Sequence, residues 1–247
     1  MIELINVTKV YGGEKLAVDD ITLTINDGEI FGFLGPNGAG KTTAIKMITG
    51  ITPLTSGEIL LNGKSITSDA LNAKKEFGFV PDDPNILLRL KGIEYLNFIG
   101  TIYGVDKETR DERIKRLADK FELASDLGNR IENYSHGMRQ KLLVIGVLLH
   151  DPNIWILDEP MTGLDPQSAF ILKEMMREHA DKGNIVFFST HVLEVAEKVC
   201  DRIGIIANGK ILFVGTVSEL KTFLNADESD KSLETLFLEL VNNGQAK

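Results

Sequence analysis

Residues 35–42 read Gly-Pro-Asn-Gly-Ala-Gly-Lys-Thr, the pattern of a phosphate-binding loop in which four residues separate two glycines and Lys-Thr follows the second. A short apolar run at residues 29–34 precedes the loop, and residues 43–48 after it have the apolar spacing of a helix. Glycines let successive backbone N–H groups curl around phosphate oxygens, and a helix N-terminus favours anions. The order of strand, loop and helix therefore predicts a nucleotide site. The alternative is a Gly-rich turn that precedes Lys-Thr by chance.

Individual residues of this loop have predicted roles. We expect Lys41 to reach the outer phosphates and to act in catalysis, and Thr42 to hold Mg2+ through its hydroxyl. The neighbouring residues would surround the phosphates with backbone N–H groups. The predicted nucleotide-binding residues of this stretch are Asn37, Gly38, Ala39, Gly40, Lys41, Thr42 and Thr43.

The composition indicates an acidic protein of a reducing compartment. The chain has 247 residues, of which 43% are hydrophobic, so it can bury a large core. Its net charge of −9 argues against a broad nucleic-acid-binding surface. A lone Cys200 excludes an intrachain disulfide framework, and the four His leave no zinc-ligand spacing. Because no apolar stretch is long enough to span a bilayer and the N-terminus lacks the features of a signal peptide, we expect a cytosolic chain that reaches a membrane only through a partner.

Sequence periodicity predicts an α/β architecture. Short alternating strands with turn signals run to about residue 63, which indicates a mostly antiparallel sheet. Helical spacing dominates between about residues 85 and 150, where we expect an inserted helical subdomain. Apolar runs at residues 153–157 and 185–188 flank a helix-like segment, which indicates a parallel sheet covered on both faces. Asn208-Gly209 predicts a hairpin, and the acidic residues 227–230 are interpreted as a solvated linker between two short amphipathic segments.

Two carboxylates follow an apolar strand. Asp158 and Glu159 come directly after residues 154–157, at the carboxyl end of a predicted parallel strand, where open α/β sheets bind ligands. We expect Asp158 to bind the Mg2+ shell, and Glu159 to take a proton from the water that attacks the terminal phosphate. The alternative is an acidic turn that closes a core strand. The phosphate-binding loop in the same chain favours the catalytic interpretation.

From residue 1 to about residue 219 the chain resembles the nucleotide-binding subunit of an ABC transporter. Residues 134–138, Tyr-Ser-His-Gly-Met, stand where that family has its signature sequence Leu-Ser-Gly-Gly-Gln. Ser135 and Gly137 are retained and would bind the terminal phosphate held by a second subunit. His136 and Met138 differ from the family, and His136 is interpreted as an exposed residue beside a helix cap. The resemblance implies a P-loop NTPase core with a parallel sheet, an N-terminal antiparallel β-subdomain and an inserted α-helical subdomain, followed by a short C-terminal extension over residues 220–247.

The resemblance assigns further residues. Tyr11 stands where the family stacks an aromatic ring on adenine, although an ordinary strand Tyr is the alternative. Asp165 lies in a segment like the family's D-loop at the dimer interface, and is equally suited to cap a helix before Pro166. His191 stands at the position of the switch histidine, where it would hydrogen-bond the terminal phosphate. Asp82 replaces the usual Gln of the Q-loop and can still ligate Mg2+, or else belongs to a simple turn.

The resemblance therefore implies an ATPase that dimerises around two ATP with Mg2+ and powers an integral membrane permease. The partner ATPase is either an identical chain or a different subunit. Residues 88–96, the altered signature and Asp82 resemble bacterial type-2 exporters, so we expect an exporter subunit at the inner face of the cell membrane.

Two other functions stay open at this point. One is an ABC-type mechanochemical ATPase that acts on the ribosome or nucleic acid; a single ATPase unit and the lack of a long heptad tract argue against it, so no direct nucleic-acid contact is expected. The other is a regulatory nucleotide binder that hydrolyses poorly. Intact Lys41, Asp158, Glu159 and His191 argue against that second alternative.

Overall fold

The computed structural model of the chain describes residues 1–224 and 233–244. In chain order its elements are β1 (Ile2–Tyr11), β2 (Lys15–Ile25), β3 (Ile30–Leu34), α1 (Lys41–Ile48), β4 (Ser56–Leu61), β5 (Lys64–Ser65), α2 (Ala70–Lys75), β6 (Phe77–Val80), α3 (Gly92–Ile102), α4 (Lys107–Lys120), α5 (His136–Leu148), β7 (Ile154–Asp158), α6 (Pro166–Asp181), β8 (Ile185–Thr190), α7 (Leu193–Val199), β9 (Arg202–Ala207), β10 (Lys210–Gly215), α8 (Val217–Phe223) and α9 (Leu233–Gly244). The acidic linker predicted at residues 227–230 lies outside the described residues.

The first sheet is antiparallel and has the strand order β2-β1-β4-β5. β1 pairs with β2 on one side and with β4 on the other, both antiparallel. The turn between β4 and β5 is formed by Asn62 and Gly63, whose φ angles of +50° and +75° are those of a two-residue hairpin turn. The predicted N-terminal antiparallel sheet is confirmed.

The second sheet has the strand order β10-β9-β3-β8-β7-β6. The strands from β9 to β6 pair in parallel, and β10 pairs antiparallel with β9 through the predicted hairpin at Asn208 and Gly209. Every residue of β3, β7 and β8 is buried. Continuous apolar strands are the pattern of a sheet covered on both faces, so the predicted parallel sheet is confirmed.

Alternate residues of these strands face two different layers. Phe33, Ile156 and Phe187 belong to a core shared with the antiparallel sheet and α1. Trp155 and Leu157 flank Ile156 on β7 and belong to a core shared with the helices that cover the opposite face. The sheet therefore lies between a β layer and a helical layer.

The helices between β6 and β7 form one cluster. Ile114, Leu117 and Phe121, predicted on one helical face, are all buried in α4 or at its end. They share a core with residues of α3, α5 and β7. The predicted helical stretch at about residues 85–150 is confirmed as helical, and its status as a separate subdomain stays a prediction.

At the C-terminal end, α9 packs on α7, α8 and the β9–β10 hairpin. Its buried residues Leu233, Leu236 and Leu240 share a core with Ala196 and Leu220. Within residues 1–224 and 233–244, none of the helices has both the length and the apolar character needed to cross a bilayer.

Candidate functional site

The candidate site lies where the parallel strands end. The carboxyl ends of β3, β8, β7 and β6 meet at one edge of the sheet, and the segments after them carry the phosphate-binding loop, His191, Glu159 and Asp82. A cleft of about 450 Å3 opens there. The residues lining it are Tyr11, Lys15, Leu16, Ala17, Pro36, Asn37, Gly38, Ala39, Gly40, Lys41, Thr42, Thr43, Asp82, Glu159, Asn208 and Gly209. All the loop residues predicted to bind nucleotide line this one cleft.

The phosphate-binding loop ends in the helix that the sequence predicts. α1 begins at Lys41, and its N-cap Gly40 offers no side chain to bond the first N–H groups of the helix. Gly40 has φ of +111°, and a Cβ there would lie 2.6 Å from the carbonyl oxygen of Ala17. Only glycine fits this position without displacing β2. Since no side chain caps them, the first N–H groups of α1 are free to bind an anion.

Lys41 is nearly buried, at 6% exposure, and its ammonium is already held in the cleft. Nζ donates to the carbonyl oxygen of Gly35 over 2.7 Å and lies 3.6 Å from Glu159 Oε1. A buried charge needs such partners, because its desolvation is otherwise uncompensated. The predicted lysine and the predicted acid, 118 positions apart in the sequence numbering, therefore face the same space.

Asp158 is only 2% exposed and accepts two hydroxyl hydrogen bonds on Oδ1. Ser189 Oγ donates over 2.6 Å and Thr42 Oγ1 over 3.4 Å. Burial raises the pKa of the Asp158 carboxyl, the two hydroxyls act against that shift, and the charges of Asp82 and Glu159 add to it. A cation beside this carboxyl would favour its ionised form, so the electrostatics suit a group that binds a metal shell.

Glu159 has a backbone conformation that is uncommon for a residue with a side chain, with φ of +47°. Its amide N–H donates to Ser189 Oγ over 3.1 Å. Its Oε2 lies 2.9 Å from His191 Nδ1 and accepts from the His191 backbone N–H over 3.3 Å. The acid and the histidine that the sequence assigned to catalysis are therefore in direct contact. The strained backbone directs the carboxylate into the cleft.

Tyr11 and Asp82 both line the cleft. Tyr11 ends β1, is 40% exposed, and has Lys9 Nζ 4.9 Å from its ring centroid. Asp82 is exposed and follows the edge strand β6. The predicted aromatic ring and the predicted Q-loop carboxylate are both available to a ligand in the cleft.

Sequence reasoning did not assign Ser189 to the site, and it predicted Asn208 and Gly209 only as a hairpin turn. The Gly209 N–H donates to the carbonyl oxygen of Ala39, and its carbonyl accepts from the Asp19 N–H, so the hairpin supports the phosphate-binding loop. An Asn-Gly pair signals the turn, but only the three-dimensional strand order brings it beside the loop.

Ser135, Gly137 and Asp165 lie outside this cleft, since none of them is among the described residues that line it. Ser135 is exposed and caps α5, where its side chain accepts from the Met138 N–H over 3.2 Å. Gly137 packs so closely on the loop before α6 that a Cβ would lie 2.6 Å from the carbonyl oxygen of Gly163. The predicted signature residues therefore form a second cluster with the predicted D-loop.

Asp165 belongs to this second cluster. It caps α6 as predicted, since its carboxylate accepts from the N–H and the hydroxyl of Ser168 over 2.8 and 2.7 Å. Lys141 Nζ, on α5, lies 3.1 Å from its Oδ2. The Ser168 hydrogen bonds, and then Lys141, hold the pKa of Asp165 well below its usual range. An ion pair therefore ties α5 to the start of α6.

His136 is exposed at the start of α5, as predicted, and its ring lies against Gly163. A Cβ on Gly163 would lie 2.4 Å from His136 Cδ2. His136 is larger than the glycine of the family's signature sequence, and the lack of a side chain at Gly163 leaves room for its ring.

Comparisons with known proteins agree with this geometry. A family model described as ABC transporter matches residues 18–162. The chain is 37% identical over 230 residues to the linearmycin resistance ATP-binding protein of Bacillus subtilis, covering 92% of this chain and 73% of that protein. It is 35% identical over 220 residues to a Nod factor export ATP-binding protein of Cupriavidus metallidurans, covering 89% of this chain and 72% of that protein. A solved structure of an ATP binding subunit of an ABC transporter matches with a TM-score of 0.92 at 30% identity, covering 97% of this chain and 99% of the other.

Proposed function

The chain belongs to the ABC transporter family and is an ATP-binding subunit with ATPase activity, and from that premise we propose that two such subunits close around two ATP molecules and drive an integral membrane permease. One observation carries the proposal. Lys41 and Glu159 line the cleft of the phosphate-binding loop 3.6 Å apart, and His191 contacts the same Glu159 carboxylate over 2.9 Å.

These three side chains divide the chemistry among them. Lys41 binds the outer phosphates and stabilises the negative charge that develops on the terminal one. Glu159 accepts the proton of the attacking water. His191 orients the Glu159 carboxylate and hydrogen-bonds the terminal phosphate, so its contacts change when that phosphate leaves.

The metal site is built from a hydroxyl and carboxylates. Thr42, Asp158 and Asp82 would hold Mg2+, and their oxygens are the donors that this ion prefers. The 3.4 Å between Thr42 Oγ1 and Asp158 Oδ1 brings two of these groups to one point of the cleft. The residues described include no group of three or more His, Cys, Asp or Glu that could hold a metal. Mg2+ in nucleotide sites is commonly held by one or two carboxylates together with phosphate oxygens, and when bound it neutralises phosphate charge.

The base of the nucleotide stacks on Tyr11, whose ring is exposed at the cleft. An aromatic face there adds apolar contact area, and the charge of Lys9 under the ring favours an electron-rich partner on the other side. The phosphates then extend towards Asn37, Gly38, Ala39 and Thr43 of the loop and of α1.

The second cluster completes the site of another subunit. Ser135 and Gly137 stand at the exposed N-terminus of α5, where a hydroxyl and free N–H groups suit the terminal phosphate of an ATP held elsewhere. Asp165 lies on the dimer interface beside them. Its ion pair with Lys141 of α5 connects the α5 end of one subunit to the ATP site of the other. ATP that binds only the closed dimer shifts the population towards it, and hydrolysis removes that preference.

The permease contacts α3 and the loop over residues 82–91. Exposed apolar residues cluster in this part of the sequence, namely Leu87, Phe98, Ile102 and Tyr103. The names of the relatives, one of linearmycin resistance and one of Nod factor export, favour an exporter, with this subunit held at the inner face of the cell membrane by its permease.

The test is an affinity purification of tagged Glu159→Gln protein from detergent-solubilised native cells in Mg-ATP, followed by mass identification. We expect a multi-span membrane protein to co-purify. The same purification with Lys41→Ala, which weakens nucleotide binding, controls for nonspecific capture. Recovery of ribosomal proteins or nucleic acid without a membrane subunit would overturn the transporter assignment in favour of a mechanochemical factor.

A further inference from the structure

Ser189 contacts both catalytic acids through one oxygen. It lies on β8 directly opposite Asp158 of β7 and is fully buried. Its Oγ donates to Asp158 Oδ1 over 2.6 Å and accepts from the Glu159 N–H over 3.1 Å. Among the described residues, Thr42 bonds Asp158 alone and His191 bonds Glu159 alone, so Ser189 is the side chain that bonds both.

The hydrogen bond to Asp158 fixes the orientation of the Ser189 hydroxyl, and with it the bond to Glu159. A serine hydroxyl has a single proton, and because Asp158 takes it, a lone pair of the same oxygen faces the Glu159 N–H. The other donor to Asp158, Thr42, stands at 3.4 Å, considerably farther than the 2.6 Å of Ser189. Ser189 is therefore the principal hydrogen-bond donor that fixes the buried carboxylate in the described part of the chain.

The contact with Glu159 supports an unfavourable backbone conformation. Glu159 has φ of +47°, which persists in a residue with a side chain only when the surroundings hold it. Its amide is held by Ser189, and its carboxylate then lies between His191 and Lys41. A shift of the backbone at this point would move the carboxylate relative to both.

We propose that Ser189 is a positioning residue for ATP hydrolysis, whose hydroxyl holds the Asp158 carboxylate towards the metal and the Glu159 backbone in the conformation that presents its carboxylate to water. The inference rests on the roles proposed above for the two acids. Partners of this kind commonly affect metal affinity or rate by about 10- to 100-fold without touching the substrate.

The test compares Ser189→Ala, Ser189→Thr and Ser189→Val. We expect Ser189→Ala to lower kcat by about 10- to 100-fold with little change in KM for ATP, because Lys41 and the phosphate-binding loop are untouched. Thr and Val have nearly the same size, so they disturb the buried position similarly and differ in the hydroxyl. Ser189→Thr should keep substantially more of the rate than Ser189→Val.

Ser65→Ala is the matched control. Ser65 is also buried, on β5 of the other sheet, and its Oγ accepts from the N–H groups of Thr67 and Ser68. Its replacement likewise removes a buried hydroxyl that makes two hydrogen bonds. We expect its kcat to equal that of the wild type, so that a loss confined to position 189 does not reflect a general loss of stability.

A second readout does not need turnover. Binding of Mn2+ to the ATP-loaded chain, measured by electron paramagnetic resonance, should be about 10-fold weaker in Ser189→Ala than in Ser189→Thr. Unchanged kcat and Mn2+ affinity in Ser189→Ala, or equal losses in Ser189→Thr and Ser189→Val, would overturn the proposal. If the wild type itself releases no phosphate, the hydrolytic function fails, and the Mn2+ titration still decides the role of Ser189.

Discussion

The cleft and the N-terminal end of α5 both offer a helix N-terminus to an anion, but they differ in how much of a site one chain supplies. At the cleft, Lys41 and Asp158 are 6% and 2% exposed and are already in contact with other polar groups. At α5, Ser135 and His136 are exposed, and they contact their own helix and the loop at Gly163. The cleft is organised in advance for chemistry, whereas the α5 end leaves Ser135 and His136 exposed to solvent.

This difference supports the proposal that one chain holds one half of a nucleotide site in its cleft and offers the other half, at the α5 end, to a second molecule. Preorganised charges are effective because they need not rearrange during the reaction. If the comparison is right, changes in and beside the cleft impair ATP binding or hydrolysis at the chain's own site, whereas changes at α5 lower hydrolysis and leave the ATP affinity of the isolated chain unchanged.

The largest expected effect is that of His191→Ala. It removes the ring that lies 2.9 Å from Glu159 Oε2, so kcat should fall by about 10²- to 10⁴-fold while the isolated chain still binds ATP. Phosphate release and an ATP titration measure the two quantities. His136→Ala, at the exposed end of α5, is the comparison variant. A larger rate loss in His136→Ala than in His191→Ala would reverse the comparison.

The next effect comes from the second cluster. In Gly137→Ala the new Cβ would lie 2.6 Å from the Gly163 carbonyl oxygen, so the α5 end must move, and hydrolysis should fall by about 100-fold. ATP affinity of the monomer should stay at the wild-type value. Gly128→Ala is the control, since its Cβ has no neighbour within 4 Å and its φ is not left-handed. Weaker ATP binding by monomeric Gly137→Ala would show that the two halves are not separate.

Lys41→Ala should weaken ATP binding by the isolated chain about 10- to 100-fold, because it removes charge-assisted hydrogen bonds to phosphate worth about 1.5–3 kcal/mol. It also leaves Glu159 without the ammonium 3.6 Å away. Lys46→Ala, exposed on the same helix, should bind like the wild type. Calorimetric titration with ATP checks both variants, and equal affinities would contradict the placement of the phosphates.

The smallest expected effect is on the free energy of unfolding. The ionised carboxylate lowers it at Asp158, beside the cleft, and raises it at Asp165, beside the α5 end. Burial raises the pKa of Asp158, so its ionised form opposes folding at neutral pH, and that penalty disappears as pH falls below the raised pKa. The pKa of Asp165 is lowered, so its ionised form favours folding above its ordinary pKa, and the gain is lost only as pH falls through its folded-state pKa.

At pH 7, therefore, Asp158→Asn should raise the thermal unfolding midpoint and Asp165→Ala should lower it. The loss of the α6 cap alone costs about 0.5–2 kcal/mol. At pH 4 the gain in Asp158→Asn should shrink while the loss in Asp165→Ala persists. Calorimetry at the two pH values measures both. A destabilised Asp158→Asn at pH 7 would show that hydrogen bonding outweighs burial at this carboxyl.

Much of the fold could be predicted from local sequence. The hairpin at residues 208–209 follows from an Asn-Gly pair, and the parallel β7–β8 pair follows from two apolar runs joined through a helix. A motif with fixed spacing placed Lys41 in the loop after one strand, an acid pair placed Asp158 at the end of another, and the family resemblance assigned His191 after a third. Their convergence at one edge of the sheet followed because parallel strands end at the same edge.

The parts that the sequence did not reveal depend on strand order and register. β3 lies between β9 and β8, two strands that come much later in the sequence. No local sequence pattern predicts that β3 takes this place in the sheet. Ser189 faces Asp158 only because β7 and β8 pair in this register. The left-handed backbone of Glu159 likewise comes from tertiary contacts, since glutamate has no local preference for it.

The most direct test that two chains each supply half of an ATP site is the oligomeric state of Glu159→Gln in Mg-ATP, measured by analytical ultracentrifugation. Without the base, hydrolysis stops and ATP should persist between the phosphate-binding loop of one chain and the α5 end of the other. We predict a dimer with Mg-ATP, a monomer without nucleotide, and a monomer in both conditions when Gly137→Ala is added. A Glu159→Gln chain that binds Mg-ATP and stays monomeric would contradict the account.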